Sequence, residues 1–235
     1  MTDDEKVFID VCELLDKNGI NFWICHGTLL GIIREDRLLP WDHDIDFAVW
    51  HKDVSRQKIL NIFLENGYKQ ELVFGDVDCM HFFGKNKKID VSFYKIKDNI
   101  ASIRWVAPSK SFVSKFYLHV VQIIWEDSIR NIQLSKKIIK RSIQYFLILI
   151  LSPFKLILTS SMKKRIYENS IKYMNHTGYS YPLNLMNFKK ISFRGRLVQV
   201  PIRSDLCLEM TYGVGWKKPN ENYIWHEEAN NLIQQ

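Results

Sequence analysis

The stretch Asp42-His43-Asp44-Ile45-Asp46 puts three carboxylates within five residues. On an extended strand, residues two apart face the same side, so Asp44 and Asp46 project together while Ile45 turns to the opposite, apolar face. Carboxylates held side by side repel each other unless a cation lies between them. Hard oxygen donors with positions left open for phosphate suit Mg²⁺, with Mn²⁺ as a substitute. A third carboxylate on a neighbouring strand would complete a two-metal clamp, and Ile89-Asp90-Val91 supplies Asp90 between two apolar neighbours. Taken alone, an Asp-x-Asp is more often a cap of a strand or turn, so the surrounding residues must decide.

Upstream lies His26-Gly27-Thr28-Leu29-Leu30-Gly31. A glycine directly after a strand and before a helix lets backbone amides approach an anion, and Thr28 adds a hydroxyl beside the helix N-terminus. A phosphate site followed by a carboxylate pair on the next strand is the layout that phosphoryl or nucleotidyl transfer needs. The elements that must hold it are legible. Val7, Phe8, Val11, Leu14 and Leu15 recur at helical spacing over residues 3–18, and residues 21–25 read as a short buried strand. A helix runs from Leu29 to Arg34, a strand alternates over Asp44–Trp50, and a helix over about 53–66 precedes strand candidates at 68–74, 79–83 and 88–96. Near the C-terminus come strands at 191–193 and 196–200 and a helix over roughly 204–212. The fold class is α+β, a mixed sheet flanked by helices with a mostly helical middle region.

Composition narrows the rest. The chain has 235 residues, 46% hydrophobic and 25% charged, with a formal net charge of +7. Such a chain is globular, neither disordered nor a disulfide miniprotein. The charge is unevenly placed: −4 over residues 1–109, +11 over 110–190 and zero over 191–235. Within the basic third, Lys136, Lys137, Lys140 and Arg141 precede the apolar run Ile143–Leu151, while Lys155, Lys163, Lys164 and Arg165 follow it. Cations flanking an apolar segment suit an in-plane helix on an anionic bilayer, although a buried helix with solvated ends has the same pattern. The run is short for a span and is broken by Pro153 and Lys155. No nucleic-acid-binding signature accompanies the charge. Cys12, Cys25, Cys79 and Cys207 are scattered, which fits reduced thiols better than disulfides or a zinc site. The acidic, amphipathic start is unlike a secretory signal, so a cytoplasmic location is expected.

His26-Gly-Thr-Leu-Leu-Gly-Ile-Ile-Arg34 followed by Leu39-Pro-Trp-Asp-His-Asp-Ile-Asp-Phe47 resembles the signature of the LicD/fukutin family, within the nucleotidyltransferase superfamily. A second block resembles it too: Phe193-Arg-Gly-Arg196, Val200-Pro201, Tyr212-Gly-Val-Gly-Trp216 and Pro219. The resemblance implies a nucleotidyltransferase-like core and metal-dependent transfer of a phospho-alcohol, such as phosphocholine, phosphoglycerol or phosphoribitol. The donor would be CDP-linked and the acceptor a hydroxyl of a surface glycan, lipopolysaccharide or capsule, or of its lipid-linked precursor. Asp44, Asp46 and Asp90 would be the metal-binding and catalytic acids, and Gly27 and Thr28 would hold donor phosphates. Here His43 replaces the family's second acid; on a regular strand it points away from Asp44 and Asp46.

Arg34, Lys88, Arg194 and Arg196 are candidates for phosphate oxygens, although Lys88, as a neighbour of Ile89 and Asp90, reads more readily as solvent-facing. Tyr212 and Trp216 are candidate walls for a quaternary ammonium group, or simply packing residues. His81 and His226 read more readily as structural. The expected organisation is a catalytic core over 1–108, a basic helical region over 109–190 that contacts the inner face of the cytoplasmic membrane through residues 136–165, and a segment over 191–235 that completes the site. Nucleotidyl transfer to an acceptor, and a non-catalytic membrane-associated binding protein of the same fold, are the alternatives.

Overall fold

The structure is a computed structural model of the chain and describes residues 1–71, 73, 75, 77–106, 111–125, 138–172, 174, 176–221, 223 and 228–233. Lys136, Lys137 and His226 lie outside the described residues. Two compact units are present: residues 1–105 with 176–235, and residues 106–175.

The first unit opens with α1 (Asp3–Lys17), which Thr2 and Glu5 start with a reciprocal capping box. Its Val7, Phe8, Val11 and Leu15 are buried along one stripe. Then follow β1 (Phe22–Ile24), α2 (His26–Glu35), β2 (Asp44–Trp50), α3 (Arg56–Glu65), β3 (Lys69–Glu71), β4 (Cys79–Gly84), β5 (Lys87–Lys97) and β6 (Ile100–Ser102). Among the described residues these strands form a seven-stranded sheet ordered β1-β2-β5-β4-β3, with β6 pairing β5 and β9 (Ser180–Pro182) pairing β6. The β2–β5 pair is parallel and the other pairings are antiparallel. The sheet is therefore mixed, as the sequence indicates, though β6 and β9 are too short to carry a clear alternation of their own. Short strands β7 (Trp105–Val106) and β8 (His176–Thr177) pair separately.

Strand alternation divides the chemistry. Ile45, Phe47 and Val49 of β2, Ile89, Val91 and Phe93 of β5, and Met80 and Phe82 of β4 enter the main core. There Phe8 of α1 lies 5.6 Å from Phe47, and Phe63 of α3 stacks on Phe82 at 4.1 Å. Each such side chain contributes about 1.5–3 kcal/mol on burial, so the register of these strands is firmly held. The intervening row, with Asp44, Asp46, Lys88, Asp90, Cys79 and His81, is thereby committed to the other face.

The hairpin of β10 (Phe188–Phe193) and β11 (Arg196–Pro201) follows, then α7 (Ser204–Tyr212). Arg194 and Gly195 form its two-residue turn with φ of 49° and 79°, the mirror-image turn whose twist suits a hairpin. Phe193, Val198 and Val200 bring this hairpin into the main core.

The second unit contains α4 (Phe112–Trp125), α5 (Ile138–Ile157) and α6 (Ser160–Lys172). Trp125 stacks on Tyr167 at 4.2 Å, and the Tyr117 and Ser170 hydroxyls are 3.0 Å apart. Pro153 lies inside α5, so the helix continues where the sequence suggests an interruption. The Ser152 hydroxyl donates to the Ile148 carbonyl at 2.6 Å in the turn before the proline.

Candidate active site

Register assembles the polar row. Asp46 on β2 is paired with Asp90 on β5, Asp90 with His81 on β4, and Asp44 with Lys88. Asp42 joins Asp44 and Asp46 from the loop before β2, and the three carboxylates offer oxygens that all lie within 4.8 Å of one another. Lys87 holds this loop, its Nζ donating to the Asp42 carbonyl at 2.9 Å and to Asp4 at 2.7 Å.

The glycine before Thr28 makes room for Asp42. A Cβ at Gly27 would stand 2.0 Å from Asp42 Oδ2, while one at Gly31 would meet the Arg37 carbonyl at 2.5 Å. Both glycines therefore serve close approach of the loop that follows α2. Thr28 is buried beneath the site. Its Oγ1 accepts from the Asp46 backbone N–H at 2.8 Å, and its own N–H donates to Asp46 Oδ2 at 3.3 Å. Thr28 thus meets Asp46 and is not among the residues lining the cavity above it.

Burial, then the charge of Asp44, pushes the Asp42 carboxyl up to about 7. Burial, then Asp44, Asp42 and Asp90, raises Asp46 well above the carboxylate range, against the hydrogen bond from Thr28. Oxygens crowded this closely and short of counter-charge are a donor set that fits a hard divalent cation.

Asp90 stands apart from that trio. Its Oδ1 is 2.8 Å from His81 Nδ1, and its Oδ2 is 3.1 Å from Lys88 Nζ. Lys88 also reaches Asp44 Oδ2 at 3.5 Å. Burial alone would lower the lysine's pKa, but Asp90 and Asp44 outweigh it and raise it. Lys88 therefore does not simply face solvent; it joins two of the acids.

Above the acids opens a cavity of about 750 Å³, lined by Gly27, Arg34, Asp42, Asp44, Asp46, Lys88, Asp90, Tyr212 and Trp216, with Trp41, Tyr179 and Tyr223 adding aromatic faces. His26, at the start of α2 with φ of 48°, lies 5.1 Å from Tyr179. Burial lowers its pKa to about 4, so the ring is neutral at pH 7. Arg34 is largely committed, donating to Glu35 at 2.6 and 2.9 Å and to the Trp216 carbonyl at 3.2 Å. It ties α2 to the loop after α7.

Arg194 and Arg196 are not brought to the cavity. Arg194 pairs with buried Glu5 at 2.9 Å and with Asp36, and Arg196 pairs with Asp16 and, at 3.5 Å, Glu13. The hairpin turn aims both guanidinium groups at α1 and the end of α2. Conversely, Asp42, His81 and Trp41 belong to the cavity. Asp42 is readable as the first member of an every-second-residue acidic row, whereas His81 is found only through its register with Asp90.

Residues 19–128 match the family model described as LicD/FKTN/FKRP, nucleotidyltransferase domain. An uncharacterized protein of Rickettsia typhi is 44% identical over 61 residues, 26% of this chain and 20% of that protein. Ribitol-5-phosphate transferase FKTN of Homo sapiens is 33% identical over 84 residues, 34% of this chain and 18% of that protein. Ribitol 5-phosphate transferase FKRP of Homo sapiens is 36% identical over 45 residues, 19% of this chain and 9% of that protein. The matches thus span a fifth or less of these relatives' length. Among solved structures, ANT(2″)-Ia in complex with adenylyl-2″-tobramycin aligns with 73% of this chain and 98% of that one, at 11% identity and a TM-score of 0.35. Residues 19–128, which carry the glycine turn, the acidic trio and Asp90, are thus the part of the chain that is similar to the LicD/FKTN/FKRP nucleotidyltransferase-domain family.

Proposed function

We propose that the protein transfers a phospho-alcohol from a CDP-linked donor to a hydroxyl of a cell-surface glycan or its lipid-linked precursor, releasing CMP. The observation that carries this reading is the acidic trio beneath an aromatic-walled cavity, within a region similar to this family. The names of the human relatives, ribitol-5-phosphate transferases, support a phospho-alcohol as the group moved. Asp42, Asp44 and Asp46 would hold Mg²⁺, which when bound neutralises the donor pyrophosphate and favours attack at phosphorus.

The chain's own residues would do the rest. Asp90, fixed through both oxygens by His81 and Lys88, accepts the proton of the acceptor hydroxyl. Lys88 presents a positive charge to the phosphate being transferred. Tyr212, Trp216 and Trp41 offer ring faces to the donor's base or to a cationic alcohol such as choline. The walls of the cavity limit water, which would otherwise compete with the acceptor.

Peripheral contact with the inner face of the cytoplasmic membrane through residues 136–165 is part of the same proposal. On α5, Phe146, Leu149, Phe154 and Leu156 are 62%, 72%, 63% and 88% exposed. The helix carries Arg141 and Lys155 and no acidic residue, the combination an anionic surface attracts. Among the described residues, no helix is long and apolar enough to cross a membrane.

Incubation with Mg²⁺, an acceptor glycan and CDP-choline, CDP-glycerol or CDP-ribitol tests the reaction. CMP release with a phospho-alcohol added to the acceptor is the expected result. Release of the phospho-alcohol with CMP left on the acceptor would instead establish nucleotidyl transfer.

A further inference from the structure

Asp44 and Asp90, carboxylates on neighbouring parallel strands, are joined by a lysine where a two-metal clamp would carry its second ion. Lys88 is the register partner of Asp44. Its Nζ lies 3.5 Å from Asp44 Oδ2 and 3.1 Å from Asp90 Oδ2. Asp90 is absent from the grouping of Asp42, Asp44 and Asp46 whose oxygens converge within 4.8 Å, and groups instead with Cys79 and His81 within the same span, a thiol–imidazole–carboxylate set that suits a softer ion such as Zn²⁺ rather than Mg²⁺ or Mn²⁺. Its other oxygen is taken up by His81 at 2.8 Å.

We infer that the Lys88 ammonium is a built-in cation that occupies the place of a second metal ion between Asp44 and Asp90, leaving one all-carboxylate site for a hard divalent ion among the described residues, at the Asp42–Asp44–Asp46 trio. The inference rests on the metal reading of that trio and adds the number of ions and the residue that sets it.

Charge and geometry support it together. Four carboxylates converge here, and one divalent ion with one ammonium offsets three of the four charges. A second divalent ion against Asp44 and Asp90 would meet a like charge at contact distance in a partly desolvated site, which is strongly unfavourable. Lys88 is anchored on the central parallel strand pair and is only 29% exposed, so its ammonium stays near the two acids. Chemically the exchange has a consequence. An ammonium is a point charge that steadies phosphate oxygens, but it does not generate a hydroxide or alkoxide as a divalent ion does. The proton of the acceptor must then pass to Asp90 itself.

Counting bound Mn²⁺ on the full chain, by the electron paramagnetic resonance of the free ion, tests this without reference to turnover. The wild type should bind one Mn²⁺ per chain. Lys88→Met should bind two, the first about tenfold more tightly because the neighbouring positive charge is gone. Lys88→Arg, which keeps the charge, should bind one. Circular dichroism establishes that each variant is folded, and Lys88→Gln replaces the methionine variant if that one is not. Two ions on the wild type, or one on a folded neutral variant, overturn the inference while leaving the metal reading of the trio intact. A wild type that binds no Mn²⁺ overturns both.

Discussion

Asp46 and Thr28 hold each other in both directions: the Asp46 backbone N–H donates to Thr28 Oγ1 at 2.8 Å, while the Thr28 N–H and hydroxyl reach Asp46 Oδ2 at 3.3 and 3.4 Å. This clasp fixes the first turn of α2 to β2, so the glycine turn and the acidic row move as one piece. Thr28→Val removes a buried acceptor from the Asp46 N–H and a donor from its carboxylate. It should cost about 1–3 kcal/mol in denaturant unfolding and weaken Mn²⁺ binding about 10–100-fold. Thr28→Ser should retain both. Unchanged Mn²⁺ affinity in the valine variant would show that the clasp serves folding alone.

Gly27→Ala tests the close approach of Asp42. The new methyl would lie 2.0 Å from Asp42 Oδ2, and the carboxylate is the more movable partner. The expected result is a folded protein whose Mn²⁺ affinity falls at least about tenfold. Affinity equal to wild type would mean that Asp42 contributes nothing to ion binding.

The raised Asp42 carboxyl predicts a pH signature in the metal-free protein. A group that holds its proton more tightly when folded contributes stability that is complete below its unfolded pKa of about 3.9 and is lost as the pH rises through the folded value, here about 7. In EDTA, the melting temperature of Asp42→Asn should therefore gain on that of wild type between about pH 4 and pH 7. Adding Mg²⁺ should reverse the order by favouring the ionised wild-type trio. A constant difference in EDTA across that interval would refute the expected shift.

Arg194 and Arg196 should separate in stability but not in donor binding. Arg194 pairs with Glu5, whose side chain is 3% exposed, so Arg194→Ala strands a buried carboxylate and should cost about 2–3 kcal/mol. Arg196 pairs with the exposed Glu13 and Asp16, and its loss should cost less than about 1 kcal/mol. Both variants should keep the wild-type KM for the CDP-linked donor. A severalfold rise in KM for either one would return that arginine to the site.

Flotation with vesicles rich in phosphatidylglycerol tests α5. Wild type should float, and Leu149→Ser with Leu156→Ser should stay at the bottom, since both side chains are largely exposed and their loss should leave the fold intact. Equal flotation of the two, or none by wild type, would remove this helix from the membrane.

The sequence determined whatever is local. The apolar stripe of α1 and the alternation over Asp44–Trp50 depend on neighbours one to four residues away, so spacing alone reveals them. The same alternation points Asp44 and Asp46 away from the core, because Ile45, Phe47 and Val49 between and beyond them claim the apolar face. The mixed sheet and the acidic character of the site are legible for this reason.

Tertiary structure alone decided who meets whom. The turn residues Arg194 and Gly195 are evident in the sequence, but it is the docking of that hairpin on α1 that sends Arg194 to Glu5 rather than to a ligand. Lys88 and Asp90 sit two apart on β5, yet only the parallel register with β2 sets Asp44 beside Lys88. Trp41, Tyr179, Tyr212 and Trp216 become walls of one cavity through contacts between residues far apart in the chain. Periodicity fixes which side of an element a residue faces. The partner on that side is fixed by core packing such as Phe8 on Phe47 and Phe63 on Phe82, whose many small contacts no short stretch of sequence contains.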